Sequence, residues 1–310
     1  MIERLSQLFS VGFIVAGIRF ATPLLFAATG EVIAQRAGLL NVDLEAMMLT
    51  GAFAAVLVSF VTGNAWLGVL AGGAAGGVLA MVKAVACVTF NARQAVAGTA
   101  MNILAAGLTV YGARYAFGYG NAPIVPALLE SRIPYLSSIP LFGPMVFSHS
   151  PLVYLAFFLV PLSSFVLLRT RWGLNLRAVG EYPAAADAVG IRVIETRYAA
   201  LLVCGVLSGL GGASITLGQL RLFVENVSAG RGFVALAAVV FGRWMPLRVM
   251  VACLFFGFCQ AAVYVVQMWD IPVPRHLILA MPYALTAAAF AVSAGKAVGP
   301  AALGRPYTRE

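Results

Sequence analysis

The sequence contains few of the residues on which enzymes and metal sites depend. Charged residues make up only 10% of the 310 residues, with two histidines and four cysteines. Two isolated histidines cannot supply a zinc site with three histidine ligands, and no HExxH or GxSxG motif occurs. Neither Lys83 nor Lys296 is followed by Ser or Thr, so the chain has no Walker A loop. We therefore predict no catalytic residue, no metal site and no enzymatic activity; any ATP used must be hydrolysed by another polypeptide.

The chain is also poor in polar segments and has no run of basic residues. Its net charge of +9 is therefore not the signature of a nucleic-acid partner. Hydrophobic residues make up 62% of the chain, with a mean hydropathy of +0.95, against about 45–50% in soluble domains. A chain of this length could not bury so much apolar surface in water, so its solvent must be the lipid bilayer. No polar block forms a second domain, and we predict one transmembrane domain over 1–310.

Apolar runs of about 20 residues recur along the whole sequence, and each is long enough to cross a bilayer. They predict an all-α integral membrane protein, a polytopic helical bundle of about eight to ten spans. The predicted spans are 8–29, 44–62, 66–90, 97–117, 151–168, 198–219, 232–242, 247–267 and 276–293. The segment 232–242 is short for a span and is expected to be a half-helix or a tilted helix. No clear cleavage site follows the first run, which we interpret as a retained span.

The orientation follows from the distribution of lysine and arginine between the connections. Most of the 20 basic residues fall in alternate loops, which include the loop 169–197 and the C-terminal end. This side is predicted to be cytoplasmic. The proline-rich loop 118–150 then faces outward, and the N-terminus is extracytoplasmic if the first segment crosses fully.

Polar side chains within spans are costly in lipid and are therefore candidates for a transport pathway. The stretch GLLNVDLEAMM places Asn41, Asp43 and Glu45 at the predicted cytoplasmic start of the second span. Acids near a helix N-terminus are stabilised by the helix dipole, so capping and anchoring of this span is one interpretation. The other is that Asn41 and Glu45 belong to the pathway or its gate.

Two further polar groups interrupt the apolar pattern. Asn102, in AVAGTAMNILAAGL, either forms an interhelical hydrogen bond or lines a polar path. The stretch LGQLRLFVENVSAGRG precedes the short apolar segment and carries Gln219, Glu225, Asn226 and Arg231. A polar, glycine-containing break is tolerated in a membrane only where the backbone is buried in protein or lines water. We predict the outer gate of a pathway there, with an ordinary structured loop as the alternative.

The loop 169–197 has a composition that a plain turn between two spans does not need. In GLNLRAVGEYPAAADAVGIRV, Pro183 suits the first turn of a short helix because it has no N–H to donate. Gly190 can provide a left-handed stop, and the alanines between them give a thin helix that fits a groove. We interpret residues 181–190 as a rigid cytoplasmic handle gripped by a separate motor protein. A plain basic loop that obeys the positive-inside rule is the alternative.

Three stretches together resemble permease subunits of bacterial ABC importers. They are TPLLFAATGEVIAQRAGLLNVDLEAMMLTGAF, LRAVGEYPAAADAVGI and FVENVSAGRGFVALAAVVFGRWMP. Over nearly its whole length the chain is similar to the branched-chain amino acid and simple-sugar permease family, and within it to permeases for guanosine and related nucleosides. Where the nucleoside pattern reads NIGLEGMM, this chain has Asp43 and Ala46 instead of the two glycines.

The resemblance implies an architecture like that of the vitamin B12 importer permease, a type II ABC importer in the bacterial cytoplasmic (inner) membrane. It implies three partners: an ATPase that binds ATP and Mg on two nucleotide-binding halves, a second related permease that forms a heterodimer with this chain, and an extracytoplasmic substrate-binding lipoprotein. No cofactor would bind this chain. The handle would be the ATPase-coupling helix, represented by Glu181, Tyr182, Pro183, Ala186, Asp187 and Gly190.

The expected function is the permease subunit of an ATP-driven importer for nucleosides. Asn102, Gln219 and Asn226 offer neutral hydrogen-bonding groups, which suit a nucleoside better than a strongly charged solute. Simple sugars, branched-chain amino acids or riboflavin are alternative substrates. A stand-alone channel or secondary carrier is the alternative of another class, but such carriers often show two matched broken helices, and one clear break is evident here.

Overall fold

The structure, a computed structural model, describes residues 10–118, 123–128, 131–132, 147–267, 284 and 299–308. In chain order its elements are α1 (Val11–Arg36), α2 (Leu44–Thr62), α3 (Ala65–Ala84), α4 (Gln94–Phe117), β1 (Ser131–Arg132), β2 (Ser148–His149), α5 (Pro151–Arg169), α6 (Arg171–Glu181), α7 (Pro183–Ala188), α8 (Val193–Ile215), α9 (Arg231–Phe241) and α10 (Pro246–Gln267). Helix α3 continues as the π-helix Val85–Thr89, and α8 continues as the π-helix Thr216–Leu220. The predicted span 276–293 and most of the predicted loop 118–150 lie outside the described residues.

Seven helices in the described part of the chain are long and apolar enough to cross a membrane, namely α1 to α5, α8 and α10. They match seven of the spans predicted from the apolar runs, which confirms an all-α polytopic fold. Helix α9 has 11 residues. At 1.5 Å per residue it is about 16 Å long, about half of the 30 Å hydrocarbon core. The expectation of a short helix in this segment is therefore confirmed.

Helix α8 lies at the centre of the bundle, where it packs against α1, α2 and α3. Glycines of α8 make the closest of these contacts. A Cβ built on Gly209 would lie 2.2 Å from the carbonyl oxygen of Gly72, and one on Gly212 would lie 1.9 Å from that of Met48. Such close backbone approach gains van der Waals contact where lipid supplies no hydrophobic driving force.

The described parts of the loop between α4 and α5 cover one end of α8. Val125 donates its backbone N–H to the carbonyl of Arg221 at 2.9 Å, and Leu128 donates to that of Leu217 at 3.1 Å. Strands β1 and β2 pair antiparallel. This loop and the end of α8 therefore belong to the same end of the molecule.

The opposite end brings together the start of α8, the α6–α7 segment and the C-terminal segment 299–308. Ala302 donates its N–H to the carbonyl of Gly180 at 2.9 Å, and Gly304 donates to that of Gly38 at 3.0 Å. The Arg197 guanidinium donates to the carbonyl of Arg305 at 3.3 Å. The segment after α1 therefore starts at this same end.

Residues 39–43 carry the chain from this end back into the bundle before α2 begins. Asn41 is fully buried, and its Nδ2 lies 3.1 Å from the sulfur of Cys204. Cys204 lies about 16 Å along α8 from Val193, at 1.5 Å per residue. Helix α2 thus starts inside the protein rather than at the cytoplasmic surface that the sequence suggested. Lys83 is likewise fully buried, near the end of α3.

Candidate functional site

The handle, residues 181–190, begins at the last residue of α6 and contains the short helix α7, and the two helices meet at Tyr182. Helix α7 begins at Pro183 and has six residues, as the sequence predicts for a proline in the first turn. Gly190 has a φ of +86°, and the following N–H, that of Ile191, donates to the carbonyl of Ala186 at 3.0 Å. This left-handed glycine ends the short helix because a residue without Cβ adopts positive φ at no steric cost.

One face of the handle packs inward and the other is exposed. Ala186 is buried in a small cluster with Val179 and Val193. Tyr182 is 72% exposed and Val189 is 76% exposed. Tyr182 and Val189 flank α7 at its two ends, so the exposed side of the handle carries two large apolar side chains.

The C-terminal segment is hydrogen-bonded to the handle at two carboxylates. Ala301 donates its N–H to Glu181 Oε2 at 3.2 Å, and the Tyr307 hydroxyl donates to Asp187 Oδ2 at 3.1 Å. A cavity of about 480 Å³ lies beside Asp187, Gly190 and Tyr307. The handle is therefore fixed to the rest of the protein rather than hanging from its two flanking spans.

A buried ion pair holds the inward segment 39–43. The ammonium of Lys83 donates to the carbonyl of Leu40 at 3.0 Å and to Oδ1 of both Asn41 and Asp43. The side chains of Lys83 and Asp43 are fully buried. An ammonium has three donors, and here all three have an oxygen acceptor. Asp43 does not cap α2 through its side chain, so its role is this ion pair.

A second group of polar side chains links the buried pair to the segment after α9. Glu31 Oε1 accepts from Gln35 Nε2 at 2.6 Å and from the N–H of Asn41 at 3.3 Å. Gln35 Oε1 in turn accepts from the indole N–H of Trp244. Arg36 donates to the carbonyl of Trp244 at 3.2 Å. These contacts join α1, the inward segment and the C-terminal end of α9 into one polar network.

Glu45 binds the N-terminus of the half-helix α9. Its two carboxylate oxygens each accept a backbone N–H at 2.7 Å, one from Gly230 and one from Gly232. Gly232 packs so tightly that a Cβ there would lie 2.4 Å from the backbone N of Glu45. A carboxylate at a helix N-terminus is favoured by the helix dipole and by the unpaired N–H groups. Glu45 therefore caps α9 and not its own helix.

Asn102 and Gln219 each form hydrogen bonds between helices. Asn102 Oδ1 accepts from the N–H of Ala46 at 3.0 Å, and its Nδ2 donates to the carbonyl of Val42 at 3.2 Å. Gln219 Nε2 donates to the carbonyl of Arg19 at 2.9 Å. For Asn102 the structure favours the first of the two interpretations, since both ends of its amide are bonded to the start of α2.

Glu225, Asn226 and Arg231 line a cavity of about 460 Å³ between the segment 220–234 and α10. Glu225 pairs with Arg114 at 3.0 Å, and both side chains are about half exposed. Arg231 Nη1 donates to the carbonyl of Val227 at 3.1 Å. The polar break predicted from the sequence thus borders a cavity and leads directly into α9.

The candidate pathway residues fall into two neighbouring groups. Asn41, Glu45 and Asn102 surround the start of α2, while the three cavity residues follow the end of α8. Glu45 joins the groups through Gly230 and Gly232, the residues on either side of Arg231. Sequence reasoning missed Lys83, Glu31, Gln35 and Trp244; of these only Lys83 gave a signal, as a lysine isolated in an apolar run. Across the described ranges, no three His, Cys, Asp or Glu side chains converge as a metal site would require.

A bundle of membrane-spanning helices with a half-helix, a buried polar network and an anchored handle is typical of membrane transport subunits. The comparison with family models gives the particular family. Residues 13–290 match the branched-chain amino acid transport system permease component family, and the chain belongs to it.

Three relatives cover most of this chain. The guanosine ABC transporter permease protein NupQ of Bacillus subtilis is 36% identical over 307 residues, 95% of each chain. The nucleoside ABC transporter permease protein NupC of Lactococcus lactis is 36% identical over 299 residues, 94% of each chain. The putative glucose ABC transporter permease protein TsgC13 of Haloferax volcanii is 38% identical over 260 residues, 82% of this chain and 77% of its own.

A weaker match has a bearing on subunit composition. NupP of Bacillus subtilis, also named a guanosine ABC transporter permease protein, is 25% identical over 248 residues. Bacillus subtilis thus has two guanosine permease proteins that are similar to this chain. No solved structure matches the chain, and its likeness to the vitamin B12 importer permease stays a prediction.

Proposed function

We propose that this chain is the permease subunit of an ATP-driven importer that carries nucleosides across the bacterial cytoplasmic membrane. The observation that carries the proposal is the handle, an exposed short helix anchored at both carboxylates to the C-terminal segment. A channel or a secondary carrier has no use for such a lever. ATP and Mg bind to a separate ATPase, because this chain carries no ATP-binding motif.

The contacts around the handle provide a route for motion into the bundle. Gly180 lies so close to α1 that a Cβ there would be 2.1 Å from the carbonyl of Arg36. From Arg36 the polar network leads to Trp244 at the end of α9, and the inward segment leads to Glu45 at its start. Movement of the handle by the ATPase would therefore reach both ends of α9 and change access to the cavity beside it.

The partners follow from the same assignment. The ATPase grips residues 181–190 from the cytoplasm, a second related permease completes the membrane unit as a heterodimer, and an extracytoplasmic lipoprotein delivers the solute. The existence of two similar guanosine permease proteins in Bacillus subtilis supports a pair of different permeases. In this orientation the C-terminus is cytoplasmic and the N-terminus extracytoplasmic.

The charges near the cavity support a neutral solute. The carboxylate of Glu225 is paired with Arg114, so its negative charge is already compensated within the chain and does not select a cationic substrate. Two of the three relatives with high coverage are named as guanosine or nucleoside permeases. The name of the third points to glucose, which is the substrate to be tested against nucleosides.

Uptake competition tests the substrate class. We expect cells that express this chain with its ATPase, second permease and lipoprotein to accumulate labelled guanosine, and unlabelled nucleosides in large excess to abolish the uptake. Glucose, leucine and riboflavin in the same excess should leave it unchanged, because the proposed importer carries nucleosides. Accumulation of labelled glucose without any accumulation of labelled guanosine would assign the importer to sugars instead.

A further inference from the structure

The cavity beside the polar break has a shape and position suited to a small ligand. Its volume of about 460 Å³ falls in the range of about 300–1,000 Å³ that small-molecule sites occupy. One wall is the segment between α8 and α9, and the other is α10. Sites of this kind in transporters are formed beside broken helices, near the middle of the membrane. The side chains of both walls determine which ligand the cavity can bind.

The wall formed by α10 contributes an aromatic ring whose plane is fixed. Tyr264 lines the cavity and is 48% exposed. Its ring stacks on Phe20 of α1, with centroids 5.0 Å apart and planes inclined by 7°. A tyrosine held in this way is a flat platform, and flat platforms bind nucleobases by stacking because every base has a π-face.

Two amide side chains line the cavity from opposite walls. Asn226 lies on the polar break with a φ of +56°, a conformation that asparagine tolerates better than most residues. Gln260 lies on α10, about one helical turn before Tyr264. Each amide has donors and an acceptor, and these are the groups that pair with the edges of nucleobases.

We propose that this cavity holds the nucleobase of the transported nucleoside, with Tyr264 as the stacking platform and Asn226 and Gln260 as hydrogen-bonding groups. This inference rests on the proposed function, since it names the site at which that substrate is recognised.

Initial uptake rates of labelled guanosine and labelled uridine, measured in cells that express the complete importer, test the site. We expect Tyr264→Leu to lower guanosine uptake about tenfold, equivalent to 1.4 kcal/mol, and uridine uptake less, because a purine stacks over a larger area. Tyr264→Phe keeps the ring and should keep the rate. Gln260→Leu should also lower guanosine uptake about tenfold, since the lost amide leaves a base edge unpaired.

The matched control is Phe255→Leu on the same helix. Phe255 is 48% exposed and does not line the cavity, so its replacement should leave both rates unchanged. Equal losses in Phe255→Leu and Tyr264→Leu would mean that packing of α10 is responsible and would overturn the inference. If the unmodified importer carries nucleosides and the Tyr264 and Gln260 variants match it, only the site is wrong. If the unmodified importer carries no nucleoside, the proposed function fails and the site with it.

Discussion

We expect Lys83→Met to lower the free energy of unfolding by about 3–5 kcal/mol, the usual effect of removing one partner of a buried ion pair. The variant would leave Asp43 as a fully buried carboxylate without its ammonium, and Asp43 Oδ2 already has no hydrogen-bond partner among the described residues. The carbonyl of Leu40 and the amide of Asn41 would lose their donor as well. Thermal unfolding of the purified permease in detergent measures the change.

Two variants separate the ion pair from the general effect of methionine in α3. Val82→Met, at a neighbouring position that is 51% exposed, should keep the wild-type melting temperature. The double variant Lys83→Met with Asp43→Leu should recover more than half of the lost stability, because replacing both charges by apolar groups removes the unpaired carboxylate. A wild-type melting temperature for Lys83→Met alone would show that the pair does not hold the inward segment.

The second large effect is expected at the end of the handle. We expect Gly190→Val to reduce nucleoside uptake per ATP hydrolysed at least about tenfold, while the ATPase still co-purifies. The φ of +86° at Gly190 is unfavourable for a β-branched residue, so the turn that ends α7 would change. Nothing in the described chain lies within 4 Å of a Cβ at this position, so within this chain the substitution acts through backbone conformation.

The wild type and Gly190→Val are compared in the reconstituted complex, with uptake and ATP hydrolysis measured in the same vesicles. Gly190→Asn is the matched control, because asparagine tolerates the left-handed region, and it should keep most of the coupling. If Gly190→Val transports as much nucleoside per ATP as the wild type, the geometry of the handle does not transmit the motion.

Much of the fold could be predicted from the order of apolar runs. Lipid as solvent requires about 20 apolar residues for each crossing, and seven predicted spans appear as helices. The half-helix α9 could be predicted because a polar, glycine-containing stretch interrupts the apolar pattern just before it. The start of α7 could be predicted because Pro183 lacks the N–H that the first turn does not use.

The inward course of residues 39–43 could not be predicted. Asn41, Asp43 and Glu45 stand before a span, and in one dimension that pattern is typical of a helix cap. Their partners, Lys83 and Gly230, lie 40 or more residues away in the sequence. A local sequence pattern does not predict contacts between residues so far apart. The available signal was Lys83 itself, a lysine isolated in an apolar run and therefore in need of a buried partner.

The cavity residues on α10 were also beyond sequence reasoning. Gln260 and Tyr264 lie in an apolar span where an occasional amide or tyrosine is unremarkable as a pattern. Only the folded chain brings them opposite Asn226 and places Phe20 behind the tyrosine ring. Recognition in a helical bundle depends on which helices are neighbours, and periodicity alone does not determine that.

The central claim is that an ATPase grips residues 181–190, and site-specific cross-linking tests it most directly. Ala185 is exposed on α7, so Ala185→Cys, in a background with Cys259→Ser, should form a cross-link to the co-expressed ATPase subunit. Thr62→Cys, exposed at the other end of the bundle, should form none. The account would be contradicted if the cysteine of Ala185→Cys were labelled by an impermeant thiol reagent added outside the cell and formed no cross-link to the ATPase.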